Sequence, residues 1–214
     1  MAAVVVDFVV TEPRQAITRL LERHYEVIRR RLERLAGVPV RSRHYSEAEQ
    51  FAAAAVILSG SFAPWEQHEA GALNRLGESV SRFGGPVLGI CAGMQLQTMF
   101  AGGAIGPRER PAVGFAPLEV LDEADLLVGL GPTAVTYEHH SWDVVTLPED
   151  FVVLARSEDC AVEALRARHR PWWGTQFHPE QFSSQHPDGA RVLRNFFALA
   201  GVGPDPARRE VPVA

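Results

Sequence analysis

The amino-acid sequence predicts an α/β fold: a doubly wound, mostly parallel sheet with flanking helices and a small antiparallel extension. Three observations lead there. In the first half of the chain, short aliphatic runs alternate with longer segments of helical periodicity, and strand–helix–strand alternation implies parallel pairing through right-handed crossovers. After Gly103 the helical spacing gives way to short strand-like runs, several of them expected to pair antiparallel. The chain has 214 residues, 46% hydrophobic and 22% charged, enough to bury a sizeable core.

The elements follow in order. Val4–Val10 is a β-branched run that reads as a buried strand. Thr11-Glu12-Pro13 reads as a helix start, with Pro13 in the first turn, and apolar residues at Ile17, Leu20, Leu21, Ile28, Leu32 and Leu35 share one face before Gly37 stops the helix. Arg29-Arg30-Arg31 sits among Glu22, Glu26 and Glu33 and reads as a solvated helix face. Val38–Arg43 and Ala53–Leu58 are further strands, Glu66–Phe83 a helix stopped by Gly84-Gly85, Pro86–Ile90 a fourth strand and Ala92–Phe100 a helix. Then come strand-like runs at Phe115–Leu121, Ala134–Glu138, Val152–Ala155, Val162–Ala167 and Trp172–Gln176, and a closing helix at Gly189–Leu199. There is no internal repeat and no linker that separates two domains, so residues 1–200 are expected to form one domain and 201–214, Pro-rich and charged, a loose tail.

Composition excludes several functions. With 21 basic and 26 acidic side chains the formal charge is −5, so a nucleic-acid footprint is not expected. Two cysteines do not make a disulfide framework. The N-terminal stretch lacks a basic region and meets Asp7 early, and no apolar run approaches the roughly 20 residues of a membrane span. A cytoplasmic protein without membrane partners is expected.

The stretch PVLGICAGMQL puts Cys91 where the fourth strand turns into a helix, between Gly89 and Gly93. In open α/β sheets ligands sit at the carboxyl ends of strands. G-x-C-x-G is the cysteine form of the nucleophile elbow, and a helix N-terminus favours a thiolate. The Ala92 N–H points into the same space and is placed to donate to an oxyanion. A buried cysteine in a glycine-rich turn is the alternative reading of these five residues. A nucleophile needs a base. Of eight histidines, His178 in GTQFHPEQF lies at the end of the run Trp172–Phe177, with Glu180 two residues on to orient the ring; the alternative is a loop histidine beside a solvated glutamate. Cys160, in SEDCAV, has no glycines or base nearby and reads as inert. No metal is expected: the adjacent pair His139-His140 and the HPE triplet lack metal-ligand spacing.

LGICAGMQL at Leu88–Leu96, AGG at Ala101–Gly103, WGTQFHPEQF at Trp173–Phe182 and GARVLRNFF at Gly189–Phe197 resemble, in order and over most of the chain, the class I glutamine amidotransferases. The segments Val113–Leu130 and Glu138–Asp159 are most similar to the glutaminase domain or subunit of GMP synthetase, with the anthranilate and aminodeoxychorismate synthase glutaminases next. The resemblance implies the flavodoxin-like fold of that family and no cofactor. It implies Cys91 as nucleophile, His178 as base and acid, Glu180 as orienter, and Ala92 with Gly60-Ser61 as the oxyanion hole. Gln95 and the His140-Ser141-Trp142 stretch would bind L-glutamine. The sequence departs from the family at Ser61 and Phe62, where a second glycine and a proline are usual, and a serine restricts φ relative to glycine. No ATP-pyrophosphatase segment with an SGGxDS-type loop follows, so ammonia used in synthesis is expected to pass to a separate synthetase, with Phe62 and Trp65 as candidate interface residues. A stand-alone hydrolase of γ-glutamyl amides and a regulatory protein with a degenerate site are the competing readings.

Overall fold

The computed structural model describes residues 4–203. Its nine strands form one sheet in the order β2-β1-β3-β4-β9-β8-β7-β5-β6. The parallel part holds β1 (Val6–Val10), β2 (Val40–His44), β3 (Ala55–Leu58), β4 (Val87–Ile90) and β9 (Trp172–Thr175). The antiparallel part holds β5 (Ala104–Val120), β6 (Thr133–Thr146), β7 (Phe151–Arg156) and β8 (Ala164–Ala167). Helices α1 (Arg19–Ala36), α2 (Ala70–Phe83), α3 (Ala92–Phe100) and α4 (Asp188–Leu199) cover both faces. The predicted fold class is the observed one.

Side chains alternate across the parallel strands, and the core follows that alternation. Val6, Phe8 and Val10 of β1 pack with Ile28 and Leu32 of α1 and Phe196 and Phe197 of α4. Val9, with Val56 and Leu58 of β3, packs on the other face with Leu76 and Val80 of α2 and Met94 of α3. Asp7, buried within β1, is held by Arg41 at 2.7 Å and Arg43 at 3.4 Å from β2. Among the described residues no helix is long and apolar enough to cross a membrane.

There are four departures from expectation. Helix α1 begins after Thr18, whose hydroxyl accepts from Leu21 N, and not at Thr11-Glu12-Pro13. Thr11 and Glu12 are buried and bonded to the loop after β3, so only a single turn, Arg14–Ala16, follows Pro13. Helix α2 begins at Ala70 and not Glu66: the buried His68 ring sits between Thr11 O and Pro64 O, able to donate to one of them, and pins the preceding segment outside the helix. The third departure is β5 and β6, which run as one long hairpin through residues 104–114 and 139–146 that carried no strand signal; a register shift between Pro107 and Ala112 interrupts it. The fourth is Arg31, which leaves the solvated face that Arg29 and Arg30 share with Glu26: its guanidinium donates to Glu180 O at 2.7 Å and lies over the Phe182 ring. Of the expected tail, residues 204–214 lie outside the described residues, while Val202 is buried and its N–H donates to Phe197 O.

Candidate active site

Cys91 sits between β4 and α3 with φ 51° and ψ −110°. A side-chain-bearing residue at positive φ is strained by about 1–3 kcal/mol, and such strain gathers at functional turns. The flanking glycines are required for space. A Cβ on Gly93 would strike the Leu58 carbonyl of β3, and one on Gly89 would strike the backbone of Gly93 and Met94. Cys91 N donates to Thr175 O of β9 at 2.7 Å, which ties the elbow to the neighbouring strand.

His178 follows β9, two residues beyond Gln176. Its Nδ1 lies 2.7 Å from Glu180 Oε1, and its other ring nitrogen, Nε2, is buried with no partner among the described residues. Burial by itself would pull the imidazole down; the Glu180 charge and the nearby Cys91 outweigh it, holding the ring well above the usual histidine value. Gly60 lies against both Cys91 and the ring. A Cβ on Gly60 would lie 2.7 Å from His178 Cε1 and 3.4 Å from Cys91 Cβ, so both side chains press on one glycine. The structure therefore brings together Cys91, His178, Glu180 and Gly60, four residues from three strand ends.

Ala92 and Ser61 line a cavity of about 380 Å³ together with Cys91, Gln95 and residues 139–142. Gln95 is buried; its amide nitrogen donates to Trp142 O at 2.6 Å and to Gln176 Oε1 at 3.0 Å. Gln176 in turn offers Nε2 to Cys91 Sγ at 3.7 Å. Neither Gly60 nor Ser61 has a positive φ, so the serine costs no backbone strain at a position where the family usually has glycine. Phe62 is exposed, its ring 5.4 Å from that of His24 and 5.5 Å from that of His139. Trp65 is half-buried, packed beside His68 and lining the same cavity.

The His140-Ser141-Trp142 stretch lines the cavity, but the His140 imidazole is engaged elsewhere. Along β6, Ala134, Thr136, Glu138 and His140 are buried while the odd-numbered residues face the other way. The His140 ring lies 3.2 Å from Glu138 Oε2 and 3.1 Å from Asp143 Oδ1, and it is His139 whose ring stands across from His178. Ligand atoms of Glu138, His140 and Glu163 all lie within 4.8 Å, the metal-like grouping among the described residues. Burial lowers the His140 pKa, but the adjoining carboxylates of Asp143 and Glu138 raise it to about 10. The carboxylates around the ring favour its imidazolium form. Cys160 is buried, and burial, with Glu163 and Asp143 near, pushes its thiol far up, which agrees with an inert residue.

The family model described as glutamine amidotransferase class-I matches residues 15–200. The chain belongs to that family. The glutamine-hydrolyzing GMP synthase subunit of Pyrococcus furiosus is 40% identical over 124 residues, 58% of this chain and 65% of the relative. Its counterpart in Thermoplasma volcanium is 33% identical over 144 residues, 67% of this chain and 70% of the relative. The match spans just under two thirds of the length of the first curated relatives. Among solved structures, a Thermoplasma acidophilum protein provisionally assigned as a GMP synthase subunit superposes with a TM-score of 0.75 at 25% identity, covering 92% of this chain and 94% of that one. The glutaminase domain of the Trypanosoma brucei CTPS, with bound acivicin, superposes with a TM-score of 0.70 at 15% identity over 92% and 94%, a likeness of fold. Within this class-I amidotransferase, sequence reasoning missed Gln176 at the sulfur, His139 opposite His178, and Glu12 behind the loop 60–63. Gln176 lies inside the quoted GTQFHPEQF motif and was findable there. The other two depend on where strands end.

Proposed function

We propose that the chain hydrolyses L-glutamine to glutamate and ammonia through a Cys91 thioester, and passes the ammonia to a separate synthetase of the GMP-synthase kind. The observation that carries this reading is the pair Cys91 and His178 pressed against Gly60, with Glu180 on the far nitrogen of the ring. The names of the relatives and a chain free of long apolar helices among its described residues fit a cytoplasmic protein of this type.

The chemistry follows from the geometry. With its proton on His178, the Cys91 thiolate attacks the carboxamide carbon of glutamine, forming a C–S bond. The resulting oxyanion takes hydrogen bonds from the N–H groups of Ala92 and Ser61; one such donor is worth about 10²–10³ in rate. The His178 imidazolium gives its proton to the amide nitrogen, the C–N bond breaks and ammonia leaves. Water then gives a proton to the neutral imidazole and attacks the thioester; the C–S bond breaks, releasing glutamate and returning thiolate and imidazolium. Glu180 stabilises the imidazolium at both proton transfers. Gln95 has its N–H groups committed to Trp142 O and Gln176 Oε1; its carbonyl oxygen is left to accept from the glutamine α-ammonium, with the backbone of 140–142 beside it. An ammonia acceptor must be docked, because free ammonia is mostly protonated at neutral pH.

The test is ammonia release from glutamine by the purified chain, with and without a GMP-synthase-type synthetase. Cys91→Ala is expected to abolish release and to block labelling by a glutamine-like chloroketone while the fold survives. Hydrolysis retained in that variant would overturn the mechanism. Turnover of substituted γ-glutamyl amides that exceeds turnover of glutamine would replace it with the stand-alone hydrolase.

A further inference from the structure

The loop that follows β3 is held from behind by residues that no motif marks. Glu12 is 1% exposed. Its Oε2 accepts from Phe62 N at 2.7 Å, from the Tyr25 hydroxyl at 2.9 Å and from the Ser61 hydroxyl at 3.2 Å. The Gly60 carbonyl is held on the same side, by the Ser59 hydroxyl at 2.7 Å, with the Thr11 and Tyr25 hydroxyls at 3.1 and 3.2 Å. Each hydroxyl has one proton: that of Thr11 goes best to Ser59 O at 2.9 Å and that of Tyr25 to the nearer Glu12. In a trans peptide the C=O and the following N–H point in opposite directions. A Gly60 carbonyl turned back onto Ser59 and Thr11 turns the Ser61 N–H away from them, on the side where Cys91 and the cavity lie.

We propose that Glu12, with Tyr25 and the Ser61 hydroxyl, is a positioning residue that locks the Gly60–Ser61 peptide with its N–H facing the catalytic cavity. The proposal rests on the glutaminase reading for its effect on rate. Its logic is that of a preset donor: an oxyanion hole works because its N–H groups need not reorganise when charge develops. A loop with two consecutive small residues and no anchor would lose part of that advantage to rotation of one peptide. In this chain the anchor is a carboxylate that ties down the Ser61 side chain and the backbone N–H of Phe62, just beyond the donor. The anchor also has a cost. Glu12 Oε1 is buried without a partner among the described residues, and a half-satisfied buried carboxylate is a liability for stability. A residue kept only for folding would not be placed so.

The experiment compares wild type, Glu12→Ala and Glu12→Gln. Glu12→Ala leaves Phe62 N and Tyr25 OH unanchored. Its kcat is expected to fall between about 10-fold and 10²-fold, with KM unchanged, bounded above by the loss of a whole oxyanion donor. Inhibition by the γ-semialdehyde of glutamate, whose adduct with Cys91 carries the same oxyanion, should weaken by the same factor. Glu12→Gln keeps an oxygen acceptor for all three donors and should recover kcat to within about threefold of wild type. Amide hydrogen exchange reads the clamp apart from turnover: the Phe62 amide should exchange at least tenfold faster in Glu12→Ala and return towards wild type in Glu12→Gln. Unchanged exchange and unchanged kcat in Glu12→Ala would overturn the proposal, as would equal losses in both variants accompanied by a lowered melting temperature. A wild-type chain that shows the exchange pattern yet hydrolyses no glutamine would instead remove the glutaminase reading, and with it the catalytic role of the clamp.

Discussion

Replacing Gly60 by alanine tests the site at its tightest point. The new methyl would lie 2.7 Å from His178 Cε1, whereas carbon atoms pack at about 3.5–4 Å, so the ring or the loop must give by roughly 1 Å. The ring has little room: its Nδ1 is bound to Glu180 at 2.7 Å, and its backbone N–H donates to Tyr137 O at 2.8 Å. If the ring yields, sulfur and imidazole part, and a displacement of about 1 Å costs about 10² in rate. If the loop yields, the Ser61 donor leaves the oxyanion hole, at about 10²–10³. Either route lowers kcat by at least about 10². Overpacking of this kind costs about 1–3 kcal/mol of stability, so the fold survives. Steady-state ammonia release with a melting curve on the same sample is the assay. A Gly60→Ala chain that is folded and turns over within about threefold of wild type would mean that Cys91 and His178 are not held as described.

Two further variants probe charge. Glu180→Gln removes the main influence that lifts the His178 pKa against burial, so the imidazolium is lost at lower pH; the alkaline limb of kcat should move down in pH, with a smaller rate loss than in His178→Ala. An unmoved limb, or the opposite order of the two variants, would reassign their roles. Glu163 has a pKa raised by burial, then by the Glu138 charge, from 4.5 to about 7. The folded state therefore holds a proton that the unfolded state releases, a stabilisation complete below pH 4.5 and lost as pH rises through 7. Glu163→Gln mimics the protonated form, so its advantage over wild type should grow across that window to about 3 kcal/mol at most, read as a melting temperature higher by several degrees at pH 8 but not at pH 4; a constant difference would refute the assignment.

The grouping of Cys91, His178 and Glu180 was legible because it rests on local signals: glycines two residues either side of Cys91, and a histidine at the end of an apolar run with a glutamate behind it. The strand content of residues 104–114 and 139–146 was not legible. Pro107 and Pro111 interrupt β5, and Glu138 with His139 and His140 gives β6 a polar tract where a strand normally shows alternation of apolar and polar residues. The alternation is there, but its buried partners are Glu138 and His140, committed to a buried polar cluster with Asp143 and Glu163.

Glu12 was hidden for a different reason. Its sequence neighbours, Thr11 and Pro13, are those of a helix start, and nothing local separates the two roles. What decides is register. Strands β1 and β3 pair Val9 with Leu58, so two residues on, Thr11 comes level with Gly60. Strands β3 and β4 pair Leu58 with Gly89, which brings Gly60 level with Cys91, and β4 and β9 pair Ile90 with Thr175, which brings Cys91 level with Gln176. Three registers therefore carry one line from Thr11 through Gly60 and Cys91 to Gln176, across the carboxyl ends of four adjacent parallel strands. Glu12 and His178 stand just beyond the two ends of that line. A one-residue slip in any pair would turn side chains to the opposite face and separate the thiol from its base or the donor loop from its anchor. The activity proposed for this chain thus depends on pairings that no single motif encodes.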